Sequence, residues 1–165
     1  MDPQTQAWFD QYDAHMTTTI RRHGWFIQYV GGDSCSRPGC PCTGDDGPSF
    51  AYTVGLFGLN HPELLIFDVA PQTAATVLNE LGKRIRDGES FLPGMTIERE
   101  GWDREIVIEH VPNPGEIVLT ANDYYRRPPE VSVPVVQVTY CDDQGRFPWD
   151  AGCRSNQPRP GTFRA

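Results

Sequence analysis

Residues 49–69, SFAYTVGLFGLNHPELLIFDV, limit the fold more than any other part of the chain. Phe50, Tyr52, Val54 and Leu56 alternate with Ala51, Thr53 and Gly55, so one face of a strand is large and apolar and the other is small. The large face suits a core, and the small face lets a helix, another backbone or a ligand come close. Residues 64–69 are apolar at nearly every position, the pattern of a central strand covered on both sides. Asp68 interrupts that run and must find a partner, a strand end or water. Between the two strands Asn60 favours a turn, and Pro62 pushes His61 toward extended backbone. The expectation is a loop that presents the His61 imidazole and the Glu63 carboxylate at one end of a sheet.

The flanking sequence supplies helices and further strands. Asp2 and Pro3 read as an N-cap and first helical residue, and Phe9, Tyr12, Met16 and Ile20 recur at helical spacing beside Trp8 until Gly24. Residues 71–87 carry Ala74, Leu78, Leu81 and Ile85 on one face, a second amphipathic helix ended by Gly88. Strands are predicted over 25–30, 95–100, 105–111, 117–120 and 133–140. Several of these follow one another without intervening helices. That order predicts an α+β fold, a single domain whose largely antiparallel sheet is packed by an N-terminal helix and a central helix. The domain is expected to span 1–153, with a Cys-rich loop insertion over 31–48 and a flexible tail over 154–165.

A net charge of -8 disfavours nucleic acid and anionic membrane surfaces as partners. No apolar run nears the ~20 residues of a membrane span, and the first residues lack the pattern of a signal peptide, so the expected location is cytoplasmic. Five cysteines in such a setting read as metal ligands or free thiols rather than disulfides. Cys35, Cys40 and Cys42 lie within eight residues and can reach one zinc ion, the one cofactor the sequence suggests. The fourth ligand would be His23, with Cys141 or Cys153 as alternatives.

Three segments, HGWFIQYV with FAYTVGL and HPELLIFDV, LNELGKRIRDGESFLPG, and VVQVTYCDDQGRFPWD, resemble the DUF4262 family. The resemblance spans most of residues 23–150; the Cys-rich insertion departs from it, and 100–127 match weakly. It implies a small bacterial domain, stand-alone or fused, and names no reaction, cofactor or partner. From the residues themselves, two functions are expected. One is a binding or interaction module for a protein or small molecule, with Tyr52, Tyr124, Tyr125, Arg126, Trp149 and Asp150 as its surface. The alternative is a small hydrolase- or transferase-like enzyme in which Glu63 orients His61 for acid/base work.

Overall fold

The computed structural model describes residues 1–31 and 47–165. The Asp2 carboxylate accepts from the amides of Gln4 and Thr5 and so caps α1 (Pro3–His23), which Gly24 ends in a left-handed conformation. β1 (Phe26–Val30) pairs antiparallel with β2 (Phe50–Val54). A 3₁₀ turn at Leu56–Leu59 leads into β3 (Glu63–Phe67), antiparallel to β2. α2 (Pro71–Arg86), β4 (Thr96–Arg99), β5 (Trp102–His110), α3 (Leu119–Tyr124) and β6 (Val135–Tyr140) complete the order. Among the described residues the strands form one six-stranded open sheet, β1-β2-β3-β6-β5-β4. Every neighbouring pair is antiparallel except β3 and β6, which run parallel at its centre. The fold is therefore a single α+β domain with a mostly antiparallel sheet.

Both faces of the sheet are covered. α2 lays Ala74, Val77, Leu78, Leu81 and Ile85 on one face, against Leu64, Ile66, Ile106, Ile108, Val136 and Val138. The other face gathers Phe50, Tyr52, Val54, Leu65 and Phe67 with Met16 of α1 and Ala121 of α3. Full burial of each large side chain contributes about 1.5–3 kcal/mol, so the two cores together hold the sheet rigid. The small face of β2 is used for close backbone approach. Gly55 has φ 131°, and a Cβ there would lie 2.5 Å from the carbonyl oxygen of Gly24.

Two expectations are corrected by packing. Residues 117–120 form no strand: Ile117 follows a 3₁₀ turn and α3 begins at Leu119. The α1 stripe is shorter than its periodicity suggests, since only Met16 is buried. The segment 154–165 lies against the sheet. The Gln157 side chain accepts from the Tyr140 amide at 3.0 Å and donates to the Tyr140 carbonyl at 2.7 Å, taking the place of a further strand. Phe163 then meets Phe50 and Phe67 edge-on, with centroids 5.2 and 4.9 Å apart. Among the described residues no helix is long and apolar enough to cross a membrane.

Candidate functional site

Glu63 opens β3 instead of standing in the loop, and its side chain is fully buried. The carboxylate accepts from the Thr53 hydroxyl at 2.6 Å and from the amides of Gly55, Leu56 and Phe57 at 2.8, 3.2 and 3.1 Å. Those three amides belong to the start of the 3₁₀ turn, so Glu63 holds the turn together. Burial pushes the carboxyl up to about 7, against the Thr53 hydroxyl and the three amides, which favour its charged form. His61 is buried too, at 5% exposure. Its Nδ1–H donates to the Pro62 carbonyl at 2.7 Å, and its Nε2 accepts from the Phe91 amide at 2.9 Å. That pairing requires the neutral imidazole, and burial holds its pKa below the usual histidine range. Only two positions apart in sequence, the two groups serve different backbone segments and do not converge on an open cleft.

The other surface residues expected from sequence also separate. Tyr52 is buried, and its hydroxyl accepts from the Thr120 amide. Tyr125 accepts from the Gly58 amide at 3.1 Å and packs edge-on to Phe57 and Tyr124. Arg126 is exposed in a left-handed conformation, φ 53°. Trp149 is stacked on Phe147 and covered by the Arg159 guanidinium, which also pairs with Glu109. The Asp150 carboxylate accepts from the Phe147 amide and closes that turn. Trp149 borders a shallow cleft beside Glu109 and His110, but its arginine is already paired there.

A different cleft, of about 450 Å³, opens at the C-terminal ends of the parallel strands β3 and β6. Carboxyl ends of parallel strands are where open sheets commonly hold ligands. Asp68 lies just past β3 with φ 58°, a strained conformation for a residue with a side chain. Its carboxylate accepts from the Asn156 amide, and the Tyr140 hydroxyl reaches the Asp68 carbonyl at 2.8 Å. Burial, then the charge of Asp68, raises the Tyr140 pKa, so its hydroxyl stays protonated as a donor. Trp102 forms an aromatic wall 5.4 Å from the Tyr140 ring. Arg104 spends one N–H on the Cys141 carbonyl, and Arg154 stands exposed at the rim. Burial opposes the charge of Asp142, yet the amides of Arg146, Gln144 and Arg154 and the Arg146 guanidinium hold it down to about 2. Its oxygens are thereby committed to the local turn.

The family model of a domain of unknown function, DUF4262, matches residues 19–154. The chain belongs to the DUF4262 family. Comparison with curated proteins and with solved structures gave no match in either set. The matched span of this DUF4262 domain contains Asp68, Trp102, Arg104, Tyr140, Asp142 and Arg154 of the cleft. Sequence reasoning noted Asp68 as a charge inside an apolar run but gave the other five no role in a site. The six come from four separated segments, and only the Asp68 anomaly signals the place.

Cys35, Cys40 and Cys42 lie outside the described residues. Among the described residues no group of three His, Cys, Asp or Glu side chains is placed to hold a metal. Cys141 is buried with its sulfur accepting from the Glu105 amide, and half-buried Cys153 faces the Arg146 carbonyl. His23 is exposed at the end of α1.

Proposed function

We propose that this DUF4262 domain is a binding module for a small acid with a flat apolar part, held in the cleft at the ends of β3 and β6. One observation carries the reading. The central strands end on a cavity that combines strained backbone at Asp68, the Trp102 wall and two guanidinium groups. Arg104 retains donors beyond the one it gives Cys141, and a planar guanidinium suits a carboxylate. Trp102 offers the flat apolar surface that fixes an aromatic or aliphatic ring. The enzyme alternative through His61 and Glu63 draws no support from their geometry, because both side chains are buried and bonded to backbone. Titration of the ¹⁵N-labelled domain with benzoate, beside neutral benzamide, tests the reading. The expected result is saturable shifts for benzoate alone at residues 68–73, 102–104 and 140–143, lost in Arg104→Ala. Equal shifts with both compounds, or shifts elsewhere, would refute it.

The reading includes a zinc ion on Cys35, Cys40 and Cys42. The spacing supports it, and the contacts of Cys141 and Cys153 elsewhere favour exposed His23 as the fourth ligand.

A further inference from the structure

The cleft at the ends of β3 and β6 holds charges of both signs that leave one another unpaired. Arg104 and Arg154 line it together with Asp68 and Asp143, and among the described residues none of these four enters an ion pair. The third carboxylate of the cleft, Asp142, is engaged by Arg146 and by backbone amides. Local bonds hold the others in place. Arg104 donates one N–H to the Cys141 carbonyl at 3.1 Å. Asp68 accepts from the Asn156 amide on Oδ2 at 3.2 Å, and its Oδ1 accepts nothing among the described residues. Asp143 stands exposed in the turn after β6, and its carboxylate likewise has no hydrogen-bond partner there. Tyr140 senses both signs: burial and then the Asp68 charge raise its pKa, while the Arg104 charge lowers it.

Opposite charges set in one cleft without meeting are placed for a ligand that carries both. A simple acid would reach Arg104 but lie beside two unpaired carboxylates, and their repulsion would weaken it. An ammonium on the same ligand turns that repulsion into attraction. The backbone points the same way. Glycine adopts a φ of 58° without strain, so an aspartate at position 68 brings the cleft a carboxylate that the turn alone does not require. We propose that the ligand of this cleft is a free α-amino acid with an aromatic side chain, which rests on the small-acid reading above and adds the amine to it. Its carboxylate pairs with Arg104, its ammonium with Asp68, and its ring lies against Trp102. Arg154 and Asp143 supply the second charge of each sign. An α-amino acid holds its two charged groups about 2.5 Å apart on one carbon. A cavity of about 450 Å³ is within the range of small-molecule sites.

Calorimetric titration of the full chain at neutral pH with L-phenylalanine, 3-phenylpropionate and phenethylamine tests this. The second compound lacks the amine and the third lacks the carboxylate. Phenylalanine should bind at least ~tenfold tighter than either. Asp68→Asn keeps a residue suited to the left-handed backbone and an acceptor for Asn156. It should shrink the lead of phenylalanine over phenylpropionate to less than ~threefold. Asp143→Asn makes the same test at an exposed position that supports no packing. Arg104→Ala should weaken phenylalanine and phenylpropionate alike. Phenylpropionate binding as tightly as phenylalanine would overturn this inference and leave the small-acid reading standing. So would a phenylalanine preference that survives both aspartate variants. Phenethylamine binding as tightly as phenylalanine, or no binding of any of the three, would overturn both.

Discussion

Glu63 and His61 set opposite pH limits on the domain. With its folded pKa raised from 4.5 to about 7, Glu63 keeps a proton that the unfolded chain has already released. Its contribution is full below pH 4.5 and is lost as pH rises through 7, about 3 kcal/mol across that window. His61 works the other way, since its folded pKa lies below 6.5 and the unfolded chain takes up the proton first. Its contribution is present above pH 6.5 and fades as pH falls. Glu63→Gln keeps the shape and removes one titration. In urea melts the gap between parent and variant should therefore narrow by about 3 kcal/mol from pH 5 to pH 8. A gap that stays constant would mean the carboxyl does not titrate in this range.

At the scale of elements, α2 rests on a stripe that its sequence displays plainly. Leu78 and Leu81 are both fully buried, so either change to Ala should cost about 2–5 kcal/mol in a denaturant melt. Gly82 gives a sharper test. A Cβ there would sit 2.7 Å from the Trp25 ring, whose Nε1–H donates to Asn79. Gly82→Ala should destabilise the domain by about 1–3 kcal/mol despite the better helix propensity of alanine. A stabilised variant would show that Trp25 can move aside. The two longer helices and most strands were legible because their periods run over enough residues to be distinct. α3 was not, for six residues give too short a period and Ile117-Val118-Leu119 reads equally well as strand. The Glu63 cage was hidden for a related reason. Which way the first residue of a strand points depends on register against β2 and β6, and register is a property of the pairing.

For the whole molecule, the last dozen residues act as a clasp. Phe163 closes an aromatic group with Phe50 and Phe67, so Phe163→Ala should cost about 2–3 kcal/mol, and removing residues 154–165 should cost more. An unchanged thermal melt after truncation would show the clasp to be dispensable. The Cys-rich segment is expected to behave as a separate module. Elemental analysis of protein purified without chelator should find about one zinc per chain, lost when Cys35, Cys40 and Cys42 all become Ser, while far-UV circular dichroism barely changes. Near-zero zinc in the parent would end that reading. The candidate cleft belongs to this scale as well, since only the assembled sheet brings residues 68, 102, 140 and 154 together.

The parallel contact of β3 with β6 has a consequence for how the chain reaches this state. Glu63 pairs with Val135, roughly seventy positions further along. The ladders β1–β2–β3 and β4–β5 close shorter loops and can form early, but the seam between them waits for β6 to arrive. Loop closure over that distance is entropically dear, and topologies rich in such distant contacts fold slowly. During synthesis β3 stands as an open edge of Leu64, Leu65 and Ile66 until β6 has left the ribosome, a template for pairing with the wrong chain. Refolding yield should therefore fall with protein concentration well before native stability is at issue.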